Sequence, residues 1–319
     1  MTQRRLRAPA ETAVRKCMSL QSTESCLIVT DDEAQPIGEA LYEVASERTD
    51  DAAIVRYPPG NQHGEEPPAG VAAAMREADV VLAPTTKSIT HTRARSDACD
   101  AGARVATLPG ITEEVFVTGL DATYSDIKKH CREIYSQVSG AEHVRVQTDA
   151  GTDIVFRPGE REWRQDTGIV HEPGEMSNLP AGEVFVSPET ADGTFVVDGT
   201  MMPYGLLEED QTLEFEVEDG YVTEIGDDRV REEIEAAADE VGDAAYNLAE
   251  LGIGTNVGVD ELIGSVLLDE KAAGTVHIAI GDDHAIGGDV DAPIHLDGIV
   301  REPTVYVDGE VIDLPAPEP

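Results

Sequence analysis

The sequence predicts an α/β protein: an N-terminal doubly wound α/β domain over residues 1–140, followed by a β-rich α+β domain over residues 141–319. Three observations carry this. Apolar strand-like runs and helical patterns alternate strictly up to residue 140, as in a parallel sheet with right-handed crossovers. Beyond it, short runs with alternating apolar positions flank Asp-Gly turns, the pattern of antiparallel hairpins. Hydrophobic residues make up 40% of the 319, enough to fill two cores.

Taken in order, SCLIVTDD (25–32) reads as a buried strand, IGEALYEVASE (37–47) as a helix and AAIVRYP (52–58) as a strand. GVAAAMREA (70–78) reads as a helix, DVVLAPT (79–85) as a strand, TRARSDACDAG (92–102) as a helix closed by glycine, and ARVATLPG (103–110) as a strand. LDATYSDIKKHCREIYSQVSG (120–140) is the last helix of the first domain, with Gly140 as its stop signal. HVRVQTDAGTDIVFRP predicts a hairpin about Asp149-Ala150-Gly151. GTFVVDGTMM, LEFEVEDGYVTEI and PTVYVDGEVIDL each predict a hairpin turned by an Asp-Gly pair. One helix, DRVREEIEAAADEV (228–241), interrupts the strands and stops at Gly242. The ends, MTQRRLRAPA and LPAPEP, are expected to be loose.

Lys and Arg total 23 against 64 Asp and Glu, a formal charge of −41 spread along the whole chain. Only five residues are lysine: Lys16, Lys87, Lys128, Lys129 and Lys271. The composition resembles that of proteins from salt-in halophiles, for at molar salt the Debye length shrinks to about 3 Å and dense carboxylates cease to repel over any distance. No basic stripe is present to neutralise phosphates, so nucleic acid is not an expected partner. The basic run Arg4–Arg7 is not followed by an apolar segment of signal-peptide length, and no apolar stretch nears twenty residues. The expected location is cytoplasmic. Cys17, Cys26, Cys99 and Cys131 lie far apart without Cys-x-x-Cys spacing, which predicts reduced, mostly buried thiols.

Residues 274–298, GTVHIAIGDDHAIGGDVDAPIHLDG, hold three of the eight histidines and five aspartates. On a strand, His277 alternates with Val276 and Ile278 and points away from the aliphatic face. His295 and Asp297 alternate with Ile294 and Leu296, so they project from one side as neighbouring ligands can. A histidine and a carboxylate so placed suit Zn, Co, Mn or Fe, whereas calcium requires an all-oxygen cage. Asp282, Asp283, Asp289 and Asp291 read as halophilic surface in the connecting loop. Glu183, after the Pro180-Ala181-Gly182 turn, and Glu250, between Ala249 and Leu251, have unusually apolar neighbours. Either binds a cation, caps a helix or pairs with an arginine, because a buried carboxylate is costly without such a partner. The P-loop, nucleophile-elbow, H-E-x-x-H and GxGxxG signatures are missing, which leaves no support for a nucleotide cofactor.

SNLPAGEVFVSPE, NLAELGIGTN, LLDEKAAGTVHIAIG and IHLDG, in that order, resemble the aminopeptidase T family of leucyl aminopeptidases over residues 178–310, and TTKSITHTRARSDACDAGARVATLPG (85–110) resembles its first domain. The resemblance implies a metal-binding catalytic second domain, a homodimer whose association in this acidic chain depends on salt, and Glu183, Glu250, His277, His295 and Asp297 as metal ligands. It implies a hydrolase, a metallo-aminopeptidase that removes N-terminal residues from small peptides with water activated between two divalent ions, Zn, Co or Mn. Glu183 binds metal or acts as general base. Where the family has a tyrosine after its first histidine motif, this chain has His284, which either fills that role or lies in a loop. The chain also resembles the related dihydroxypyridine dioxygenases, which use a single iron. His277, His295 and Asp297 alone would form their two-histidine, one-carboxylate face, and His91 in ITHT would supply a base. The peptidase is the expected function, since Glu183, Glu250 and His277 together favour two metals. A cation-binding protein without catalytic function is the third reading.

Overall fold

The computed structural model of the chain describes residues 2–317. The fold is the predicted mixed α/β one, a parallel sheet plus antiparallel sheets, and the chain divides into two compact units. The first comprises residues 1–128 and 166–181; the second comprises 129–165 and 182–319. The division thus falls ahead of the residue-140 boundary expected from the sequence, and one short segment returns to the first unit. Among the described residues no helix is long and apolar enough to cross a membrane.

In the first unit five parallel strands lie in the order Ala52–Tyr57, Cys26–Asp31, Val80–Thr85, Arg104–Pro109 and Met176–Asn178. Chain order is therefore 2-1-3-4-5, with the winding reversing between the first and third strands. Cys26–Asp31 and Val80–Thr85 are buried throughout, as uninterrupted apolar runs in a parallel sheet should be. The fifth strand, from the returning segment, was not foreseen, because MSN is too short to carry an alternating pattern.

The N-terminus corrects the expectation of a loose end. Thr2–Glu11 is helical and runs on as a π-helical stretch, Thr12–Cys17. Leu6, Ala10, Ala13, Val14 and Cys17 are fully buried at helical spacing. Pro9 inside the helix and the arginines around it hid that face, and Arg7 pairs with Glu47 at 2.8 Å. The last two residues of LPAPEP lie outside the described residues. A second difference lies just ahead of the helix expected at 120–140: that helix is Tyr124–Val138, and another, Glu113–Leu120, which was not expected, precedes it. Thr112 caps Glu113–Leu120 by accepting from the Val115 N–H.

In the second unit Val144–Gln147 and Asp153–Arg157 form the hairpin expected about 149–151. Asp219-Gly220 and Asp308-Gly309 turn two more, with all four residues at positive φ as type I′ requires. Asp198-Gly199 does not turn a hairpin. Neither residue is left-handed, and Thr190–Val197 pairs instead with Leu213–Glu218 and Asp153–Arg157. Gly199 is there for space: a Cβ on it would stand 2.8 Å from the Ile299 carbonyl oxygen.

Candidate metal centre

Four antiparallel strands of the second unit carry the site: Glu183–Val186, Leu248–Gly254, Val276–Gly281 and His295–Val300. Their register sorts the side chains. Glu183 lies opposite Gly254, His277 opposite Gly252, Ala279 opposite Glu250 and Asp297, and His295 opposite Gly281. Directly opposed residues share a face, and so do residues two apart. One face therefore gathers Glu183, Glu250, His277, His295 and Asp297 on a floor of Gly252, Gly254, Ala279 and Gly281. The other face presents Val184, Val186, Leu251, Ile253, Val276, Ile278 and Ile280, all fully buried. That apolar face anchors the strands, while the small residues of the floor leave room for the ligand side chains. At Gly252 a Cβ would stand 2.0 Å from His277 Nε2.

The five residues form two groups of metal-ligand type, in each of which the ligand atoms lie within 4.8 Å of one another. Glu183, Glu250 and His277 make the inner one, and all three are buried. Glu250, His295 and Asp297 make the outer one, in which 31% of the His295 side chain is exposed. Glu250 belongs to both. Its Oε1 lies 3.3 Å from His277 Nε2 and its Oε2 3.4 Å from His295 Nε2. His277 Nε2 is also 3.3 Å from Glu183 Oε2, and His295 Nε2 is 3.4 Å from Asp297 Oδ1. Ligands about 2.0–2.1 Å from a common ion stand roughly 3.0–3.4 Å apart at tetrahedral to octahedral angles, so nitrogen–oxygen separations of this size fit a shared divalent ion. The donor set, imidazole plus carboxylate, suits Fe, Mn, Co or Zn.

Outer hydrogen bonds aim these groups. His295 Nδ1 donates to the Asp282 carbonyl oxygen at 2.6 Å, which leaves Nε2 facing the carboxylates. Asp283, expected at the surface, is buried: it accepts from Ser187 Oγ, Asn247 Nδ2 and the Val290 N–H, and so ties down the 281–294 loop. Among the described residues His277 Nδ1 is buried without a hydrogen-bond partner, so that ring is held by its carboxylates and by packing. Lys271, which sequence reasoning passed over, is buried with its Nζ 2.6 Å from both Glu183 Oε1 and Glu270 Oε1. The available signal was its position, one of five lysines, set directly before Ala272-Ala273-Gly274.

The two remaining candidates are members of neither group. His284 begins an exposed three-residue 3-10 turn, His284–Ile286. His91 is exposed in the first unit, just before the Arg93–Asp100 helix.

Charge in the centre is strongly coupled. Burial opposes charge on His277, but the Glu250 hydrogen bond and the Glu183 carboxylate prevail and raise it to about 9. Burial likewise opposes charge on His295, where Asp297 and Glu250 win and hold the ring well above its ordinary value. Glu250 is pushed up by burial, yet hydrogen bonds from both rings hold it below the usual carboxylate range. Burial drives Glu183 the other way, up to about 8, against Lys271 and His277.

Both shifts favour the protonated rings in the absence of an ion, so ion uptake should release protons. Apparent affinity for a divalent ion should fall as pH is lowered below about 9. Calorimetry at pH 7 in buffers of different ionisation enthalpy should register the released protons; equal heats and a flat affinity from pH 6 to 9 would refute this. The ion-free protein gains stability from a raised histidine below its unfolded value of about 6.5 and loses it as pH climbs through the folded one, so it should soften between about 6.5 and 9.

Fold and site together define a two-unit α/β protein with a buried histidine–carboxylate centre of metal-binding type. Residues 11–313 match the 2,5-dihydroxypyridine 5,6-dioxygenase (NicX) family, and the chain belongs to that family. It is 25% identical over 263 residues to the 2,5-dihydroxypyridine 5,6-dioxygenase of Pseudomonas putida KT2440, covering 77% of this chain and 73% of that one. The solved structure of the 2,5-dihydroxypyridine dioxygenase from the same organism superposes with a TM-score of 0.80 at 22% identity, over 100% of this chain and 99% of the other. Wild-type AmpT from Thermus thermophilus superposes with a TM-score of 0.70 at 18% identity, over 98% and 100%. The likeness on the aminopeptidase T side is one of fold.

These findings overturn the expected aminopeptidase. The family match names an oxidoreductase of the dioxygenase type, so the hydrolase class and the peptide substrate fall with the peptidase reading. The role implied for His284 as a substitute for a tyrosine in peptide hydrolysis falls too. The peptidase expectation rested on the resemblance of the motifs around Glu183, Glu250 and His277 to the aminopeptidase T family, and the match of residues 11–313 to the dioxygenase family decides against it.

Proposed function

We propose that this chain is a ring-cleaving dioxygenase of dihydroxylated nitrogen heteroaromatics, with 2,5-dihydroxypyridine as the first substrate to try. The match to the dioxygenase family over residues 11–313 carries the reading. The site supports it, because His277, His295, Asp297 and Glu250 offer two imidazoles and two carboxylates on one rigid sheet face. A ferrous ion held there would supply the one-electron chemistry that allows O2 to react with an electron-rich hydroxylated ring. The protein's part is to hold that ion asymmetrically. Apolar strands and a glycine floor close the His277 side against water, while the partly exposed His295 side leaves room for small molecules to approach. Glu183 stands behind the ligands as a buried carboxylate braced by Lys271.

The test is oxygen consumption in high salt. Protein stripped with chelator and reloaded anaerobically with Fe2+ should consume one O2 per 2,5-dihydroxypyridine, with loss of the ring's ultraviolet absorbance, and should release no amino acid from a leucyl amide. If the iron-loaded protein takes up no O2 with any dihydroxylated pyridine, the proposal fails.

A further inference from the structure

A single buried carboxylate joins the ends of all four site strands. Asp283, 3% exposed, follows Val276–Gly281 in the chain. Its Oδ2 accepts from Ser187 Oγ at 2.9 Å, directly beyond Glu183–Val186, and from Asn247 Nδ2 at 3.1 Å, directly before Leu248–Gly254. Its Oδ1 accepts from the Val290 N–H at 2.7 Å, in the segment that leads into His295–Val300. Three donors thus converge on two oxygens, which a carboxylate satisfies and an amide, with one acceptor atom, does not. These bonds lie at the base of the 281–294 loop, where the Asp282 N–H donates to the Ile294 carbonyl at 2.7 Å. There His295 Nδ1 reaches the Asp282 carbonyl, which directs Nε2 at Glu250 and Asp297. The tip of the loop is held separately: Arg161 donates to the Gly287 carbonyl and pairs with Asp289, and Arg164 donates to the Ala285 carbonyl. What Asp283 adds is the placement of the residue next to the carbonyl that aims His295.

We propose that Asp283 is a positioning residue for the metal centre: through the Asp282 carbonyl it holds the His295 imidazole at the angle at which Nε2 meets an ion shared with Glu250 and Asp297. The inference rests on reading the cluster as a metal centre and not on the reaction catalysed there. Gly288 provides an independent way to disturb Asp283. A Cβ there would stand 1.9 Å from Asp283 Cγ and 2.0 Å from Oδ1, and Gly288 has no left-handed backbone. Gly288→Ala therefore displaces the carboxylate while keeping its charge and every donor that meets it.

Chelator-stripped full-length protein in high salt is titrated with Co2+, with calorimetry reading affinity, visible absorption reading the ligand field and thermal unfolding of each ion-free variant recorded alongside. Asp283→Asn and Gly288→Ala should each weaken Co2+ binding by about 10–100-fold, the range for groups that orient a metal ligand, and should alter the d–d bands alike because the same imidazole is misdirected. Asp289→Ala removes only the ion pair at the loop tip and should keep wild-type affinity and bands. An equal loss in Asp289→Ala would mean that any loosening of the loop suffices, and overturns the proposal. So does a lowered unfolding temperature with unchanged affinity and bands in Asp283→Asn and Gly288→Ala, the result of a purely structural role. Should those two fail to fold, Ser187→Ala deletes one bond of the three and should still weaken Co2+ binding by about 10-fold; wild-type affinity there counts against the proposal in the same way. No tight Co2+ in wild type sinks the metal-centre reading itself, whereas tight binding that these variants leave unchanged sinks the positioning role alone.

Discussion

Asp297→Ala should lose tight ion binding and lower ring-cleaving turnover by at least about 100-fold while leaving the fold intact. Replacing groups that merely orient a ligand typically costs roughly 10–100-fold in metal affinity or activity, and removing a ligand should cost more. Asp297 touches the outer group alone, with Oδ1 3.4 Å from His295 Nε2. Its neighbours Leu296 and Gly298 point to the other face, and its backbone pairing to Ala279 does not depend on the side chain. The unfolding transition of the ion-free variant should therefore stay near that of ion-free wild type. Elemental analysis and oxygen uptake read the effect. A variant that keeps both its ion and its activity would remove Asp297 from the centre.

Gly252→Ala should be equally damaging for a different reason. Gly252 has no left-handed backbone, so any residue could adopt its conformation. What it provides is space, because a Cβ would stand 2.0 Å from His277 Nε2 and 2.1 Å from Cε1. Gly252 sits mid-strand, hydrogen-bonded in register with both Phe185 and His277, so the backbone cannot yield and the ring must leave. Displacing a fully buried side chain in a packed sheet costs about 1–3 kcal/mol. The ion should be lost as well, because His277 links Glu183 to Glu250. Gly70→Ala is the control, for it lies in the Ala69–Glu77 helix with nothing within 4 Å of the added carbon. There alanine should be neutral or stabilise by up to about 1 kcal/mol. Thermal unfolding and ion content of the two variants separate the cases, and wild-type ion content in Gly252→Ala would contradict the close approach.

Much of this site was legible because strand periodicity is short. His277, His295 and Asp297 announce their face through alternation with valine, isoleucine and leucine, and Glu250 is conspicuous in an uncharged run. The floor was present in the sequence too, as the glycines of LAELGIG, but glycine has many causes and only the register shows that Gly252 and Gly254 face His277 and Glu183. Lys271 was hidden for a related reason. Its partner Glu183 is 88 residues away in the chain, and no local pattern reports so distant a pairing. Asp283 shows the limit of compositional reasoning: in a chain with 64 acidic residues an aspartate is read as surface, and this one is buried and ties down a loop. The N-terminal helix was missed because Pro9 and the arginines masked an apolar face that repeats at helical spacing.

The enzymatic reading went astray because the motifs were taken as those of the aminopeptidase T family, whereas residues 11–313 match the dioxygenase family. AmpT shares the fold at 18% identity, and a shared fold does not fix the reaction carried out on it. The ammonium against Glu183 Oε1 comes from Lys271 inside LLDEKAAGTVHIAIG, so the motifs alone do not separate the two readings.

Isotope incorporation tests the central claim most directly. Iron-loaded protein turning over 2,5-dihydroxypyridine under 18O2 should yield a ring-opened product carrying two labelled oxygens, with no label when 18O is supplied only as water in a rapid quench. A product with one labelled oxygen, or label drawn from water alone, would contradict a dioxygenase.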